Sequence, residues 1–168
     1  FEISKTGKVP GIPLNQFSLV EYEGSLRIAT TIGRNFGIIG GIGSESSNDV
    51  YVLDENLKII GSIKDLGVGE RIYSVRFIED KGYVVTFREI DPFFVINLSN
   101  PKNPKLEGEL KIPGYSSYLH PITKDKILGI GKEGWKVKIS LFDVKDPKNP
   151  KEVDKYILKE SYSDVLQT

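Results

Sequence analysis

One phrase occurs twice in the chain and limits what it can fold into. Val95-Ile96-Asn97-Leu98-Ser99-Asn100-Pro101-Lys102-Asn103-Pro104-Lys105 returns as Ser140-Leu141-Phe142-Asp143-Val144-Lys145-Asp146-Pro147-Lys148-Asn149-Pro150-Lys151, and Pro101 and Pro147 lie 46 positions apart. A fainter copy stands upstream. Val50-Tyr51-Val52-Leu53-Asp54-Glu55-Asn56-Leu57-Lys58 has the same apolar run and polar turn, with Asp54 lying 43 positions before Asn97. A unit that recurs at such an interval is one supersecondary element stacked on its own copies, because alone it cannot bury its apolar face.

Within each period, β-branched and aromatic residues alternate with polar ones and are punctuated by Gly, Pro, Asn and Asp, which is the signature of strands. The middle unit is clearest, with strands expected over Tyr73 to Ile78, Tyr83 to Arg88, Phe93 to Leu98 and Leu106 to Ile112. Glu107, Glu109 and Lys111 alternate along the last of these, as on a solvent-facing edge. The next unit repeats the plan at Tyr118 to Pro121, Ile127 to Gly131, Val137 to Val144 and Val153 to Leu158. The first is looser: Phe17 to Tyr22, Leu26 to Thr31, Val50 to Leu53 and Lys58 to Ile63, with a long excursion from Gly33 to Asn48. No segment keeps a helical period with caps, so essentially no helix is expected.

Four strands in a period in the mid-forties make a propeller blade. The expectation is an all-β chain forming a partial β-propeller of about three four-stranded antiparallel blades, over residues 17–66, 67–114 and 115–160. Residues 1–16 read as the end of a preceding blade and 161–168 as the start of a following one. Propellers remove strand edges by closing into a ring of typically four to eight blades, which three cannot do, so a piece of a longer protein with open blade edges that self-associate is expected.

Composition excludes several classes of function. Lys plus Arg and Asp plus Glu number 23 each, so no net charge draws nucleic acid or an anionic membrane surface. There is no cysteine, which removes thiol nucleophiles, thiolate metal sites and disulfides. No apolar run is long enough for a membrane span, and the first residues lack the charged and apolar regions of a signal peptide.

Long phrases of the chain resemble a family of archaeal and bacterial proteins described as secreted, with a C-terminal β-propeller distantly related to WD repeats. They are Leu14-Asn15-Gln16-Phe17-Ser18 with Leu26 to Thr31, Glu70 to Phe77, Gly82 to Arg88, and Asp91-Pro92 through Tyr118-Leu119-His120-Pro121. The resemblance implies a propeller, export to the cell surface or beyond it, and neighbouring blades on both sides. It carries over no catalytic residue.

Several residues are candidates for a site. Arg88 and Asp91 lie between the second and third strands of the middle blade, Arg34 and Trp135 in the same connection of the first and third, and Arg71, Tyr73 and Tyr115 at crossovers between blades. All seven fall on one rim, and arginine and aromatic residues are frequent interface anchors. Arg88 with Asp91 is also explained as a local pair holding its loop. Gly37-Ile38-Ile39-Gly40-Gly41-Ile42-Gly43 lacks the following helix that a phosphate-binding loop requires and reads as a strand connection. His120, the sole histidine, has no triad or metal partner at recognisable spacing and reads as a structural, hydrogen-bonded residue. Glu79-Asp80 reads as a turn, not as a catalytic carboxylate pair. Asn97-Leu98-Ser99 is a glycosylation sequon.

No catalytic residue, metal ligand or cofactor is assigned. The reading is a non-catalytic scaffold of an exported or cell-surface protein that binds a protein or polymer through rim loops. The alternative is a hydrolase or metal-dependent enzyme with its site in the central channel of the complete ring.

Overall fold

A computed structural model describes residues 5–33, 45–87 and 91–159. They form three four-stranded antiparallel sheets, each built from consecutive strands. The first holds β1 (Leu19–Tyr22), β2 (Ser25–Ile32), β3 (Ser47–Leu53) and β4 (Ile59–Leu66). The second holds β5 (Arg71–Ile78), β6 (Lys81–Phe87), β7 (Asp91–Asn97) and β8 (Lys105–Ile112). The third holds β9 (Tyr115–Thr123), β10 (Lys126–Glu133), β11 (Lys136–Asp143) and β12 (Lys151–Ile157). Three four-stranded antiparallel sheets are what the expected partial propeller calls for, and a three-residue 3-10 turn at Gln16–Ser18 is the helical element among the described residues. No helix there is long and apolar enough to cross a membrane.

Several strand boundaries and one burial differ from the sequence reading. β3 begins at Ser47, three residues before the expected Val50, because Asn48 and Asp49 are buried polar residues with partners. Asn48 donates to the carbonyl of Leu66 at 2.8 Å, and Asp49 accepts from the Asp65 amide at 3.0 Å. Glu107, expected on a solvent face, is half-buried and accepts from Lys81 at 2.7 Å and Asn97 at 2.8 Å. The register explains it: Val95 pairs with Gly108 and Ile96 with Leu106, so Glu107 is the extra residue of a bulge and turns back toward its own sheet. Ile60 and Val153 occupy the same bulge in the other blades.

The two-residue period of the strands builds the joints between sheets. On β6, Val84 packs toward the first blade while Tyr83 and Val85 pack toward the third; on β7, Phe94 and Ile96 point one way and Phe93 and Val95 the other. The middle blade is thus buried on both faces, and Phe93 stacks on Phe142 of the next blade with ring centroids 4.7 Å apart. On the first blade, Ala29, Val50 and Val52 face the second, whereas Ile28, Tyr51 and Leu53 face outward under Val9.

The repeated phrase makes the hairpin between third and fourth strands. Asn97, Asn100, Asp143 and Asp146 each accept from the backbone amide two residues on, at 2.9 to 3.1 Å, and Asp54 does the same in the faint copy. These are Asx turns, and the prolines pre-set the backbone between them. Each hairpin then seats on the outer strand of the blade before it. A β-carbon on Gly61 would lie 2.2 Å from the Pro101 carbonyl oxygen, and one on Gly108 would lie 2.1 Å from that of Pro147. Gly7 lies against Leu57 of the first hairpin in the same manner.

Candidate functional site

The antiparallel strands give the assembly two ends. One carries the turns between first and second strands and the proline hairpins; the other carries the second-to-third connections and the crossovers between blades. Of the rim candidates, Arg71, Tyr73, Tyr115 and Trp135 belong to the second end, and the first three meet there. Tyr73 lies 4.7 Å from Tyr115, centroid to centroid, and Arg71 covers the Tyr73 ring at 4.9 Å while donating to its hydroxyl at 3.0 Å. Phe87 joins both rings, at 5.5 Å from Tyr73 and 4.8 Å from Tyr115.

Local backbone irregularity sets this cluster. Ile72 pairs with Thr86 and Ser74 with Val85, leaving Tyr73 as the bulged residue of β5. A bulge re-aims the side chain it carries, here away from the sheet and across the joint to Tyr115. Tyr115 follows the tight crossover at Gly114, which has φ 86° and leaves no room for a side chain: a β-carbon there would meet the Lys132 carbonyl oxygen at 2.1 Å. Burial pushes the Tyr115 hydroxyl above its ordinary pKa, so it stays protonated and able to donate. The three rings are each half-buried and Arg71 is exposed, so the cluster is a surface with an anchored base.

Trp135 stands apart from these rings. It caps the turn between β10 and β11 and is 86% exposed, with no ring contact among the described residues. An ion network secures the third blade. Lys138, 1% exposed, donates to the Pro113 carbonyl at 2.6 Å and lies 3.3 Å from Glu152 and 3.7 Å from Glu133, which also takes Lys155 at 2.9 Å. The hydrogen bond from Lys155 holds the Glu133 carboxyl below its ordinary pKa.

Arg34 and Arg88 fall outside the described residues, as does the side chain of Asp91, and so does the glycine-rich segment 37–43. The Asn97 carboxamide is half-buried and its nitrogen is engaged by Glu107 at 2.8 Å. His120 is exposed on β9, its Nδ1 3.3 Å from the Tyr118 hydroxyl. Glu79 and Asp80 form the β5–β6 turn, as expected.

Phe87 and Arg76 are candidates that the sequence did not single out. Phe87 reads there as one face of a strand, and nothing marks the crossover that brings it to Tyr115. Arg76 interrupts the apolar run of β5; it donates to the Leu119 carbonyl at 2.9 Å and lies over the rings of Phe17 at 4.0 Å and Tyr118 at 5.5 Å. A charged residue amid apolar neighbours is the signal that would have found it. It ties the first strands of two blades to the 3-10 turn.

The family model for a β-propeller domain matches residues 1–168. The chain belongs to the β-propeller domain family. An uncharacterized protein of Archaeoglobus fulgidus is 53% identical over 165 residues, which are 98% of this chain and 25% of that protein. An uncharacterized protein of Methanocaldococcus jannaschii is 53% identical over 168 residues, 99% of this chain and 26% of its own length. The chain therefore spans about a quarter of the length of these archaeal relatives. Membership of this propeller family accords with the three sheets and with the joints between them.

Proposed function

We propose that this propeller segment is a non-catalytic scaffold of an exported or cell-surface protein, binding an extended protein or polymer through the rim that carries Arg71, Tyr73, Tyr115 and Trp135. The observation that supports it is the Tyr73–Phe87–Tyr115 cluster: three aromatic rings held half-exposed in van der Waals contact, with a guanidinium stacked on one of them. Aromatic and arginine side chains fixed in this way offer large contact area at low entropic cost, which is the makeup of binding hot spots. The resemblance to secreted propeller proteins is what supports a place outside the cell membrane. Self-association belongs to the same proposal, because the third blade carries half-buried Leu128, Ile130, Ile139 and Leu141 on the face turned away from the second.

The test is a display selection of extended peptides together with a panel of soluble polysaccharides on the immobilised chain. Ligands recovered on the wild type should bind at least about tenfold more weakly to Tyr73→Ala with Tyr115→Ala, a loss of about 1.4 kcal/mol. Ligands indifferent to both substitutions, or none recovered, would count against the rim.

A further inference from the structure

Each joint between blades has a cleft at the end opposite this rim, between the first hairpin turn of one blade and the hairpins of the next. Between the second and third blades its volume is about 180 Å³, with Tyr83 on its wall. Between the first and second it is about 370 Å³, within the range of ligand sites, and the corresponding residue is Arg27. The correspondence is fixed by register: Ser25, Lys81 and Lys126 open the second strands, and Arg27, Tyr83 and Leu128 each follow two residues later. The repeat is satisfied by tyrosine or leucine at this place, and only the first blade buries a charge there.

Arg27 is 4% exposed. Its Nη1 donates to the Glu79 carbonyl and its guanidinium lies 4.6 Å above the Tyr22 ring, yet Nε has no hydrogen-bond partner and the group forms no ion pair among the described residues. A buried donor left unsatisfied costs on the order of 1–3 kcal/mol, and more when charged. Fold stability alone gives no reason to hold arginine where the other blades hold tyrosine or leucine. Around the same cleft stand Glu23, Glu79 and Asp80, whose carboxylates likewise form no ion pair among the described residues. Glu23 and Glu79 are exposed and Asp80 is half-buried, so the cation lies deep and the anions surround the mouth. Leu98 and Pro101 supply an apolar wall.

We infer that this cleft binds a zwitterion of the α-amino-acid class, its carboxylate on Arg27, its ammonium among Glu23, Glu79 and Asp80, and its side chain against Leu98 and Pro101. A simple anion would reach Arg27 only past three carboxylates, and a simple cation would be repelled by the guanidinium beneath. A molecule bearing both charges a few ångströms apart satisfies the two sets together.

The test is calorimetric titration of the chain with the common amino acids in turn, followed for leucine by leucinamide, which lacks the carboxylate, and 4-methylpentanoate, which lacks the ammonium. Inorganic phosphate is the anion control. At least one amino acid should bind, and for leucine each analogue should be weaker by about tenfold or more. Arg27→Tyr and Arg27→Leu, carrying the residues of the other blades, should keep the unfolding midpoint and lose at least about tenfold in affinity. Should both fail to fold, Asp80→Asn, in the half-buried β5–β6 turn, must show the loss. Binding by no amino acid, equal binding by the Arg27 variants, or phosphate binding more tightly than any amino acid would each overturn the assignment.

Discussion

A β-carbon at Gly108 would stand 2.1 Å from the Pro147 carbonyl oxygen and 3.0 Å from the Pro150 ring, both part of a hairpin braced by Asx turns. The obstacle is backbone, so it cannot rotate aside, and Gly108→Ala must push the third blade away from the second. Overpacking of this kind costs about 1–3 kcal/mol. Gly24→Ala is the matched control: no atom lies within 4 Å of its β-carbon, although its φ of 75° adds a conformational penalty of its own. Chemical denaturation should show the larger loss at Gly108; an equal or smaller loss would mean that the hairpin does not bear on that strand. The proline phrase is legible in the sequence as a turn, but its glycine receptor is not. Nothing local pairs Gly108 with a hairpin about 40 residues away, and only the stacking of blades does so.

At the scale of elements, β10, β11 and β12 are joined to the crossover before them by Lys138, Glu133, Glu152 and Lys155. Glu133 titrates below its ordinary value of 4.5 in the fold because Lys155 donates to it. Its contribution to stability is therefore complete above about pH 4.5 and is lost as the pH falls through the lower, folded pKa. The thermal midpoint should fall across that acid range, and Glu133→Gln should lower the midpoint at neutral pH while flattening the fall. An unchanged acid limb in the variant would remove Glu133 from the account. The strands themselves were readable from alternation, since period two is what sends Phe93 and Phe94 to opposite joints. The bulges were not: Glu107 and Tyr73 each occupy an extra position that shifts the alternation by one, and the sequence carries no mark of where that shift falls. The same blindness hid Arg27, which stands out only when the three second strands are aligned by register and tyrosine and leucine appear in its place.

For the whole molecule, the governing feature is that each blade has two faces and both are made for packing. The middle blade uses both, and the first covers its outward Ile28, Tyr51 and Leu53 in part with Val9. On the third, Leu128 and Leu141 pair across β10 and β11, as do Ile130 and Ile139, and the four form a half-buried apolar face on the side away from the second blade. This is the face that Ala29 and Val85 present in the preceding blades, where a further sheet covers it. The measurement that bears most directly on the account is the mass of the chain by light scattering over a dilution series, for the wild type and for Leu128→Lys with Ile139→Lys. The account predicts assemblies of two or more chains that dissociate on dilution, and a folded monomer for the double variant. A wild type that stays monomeric at every concentration would contradict the claim that the third blade presents a joint.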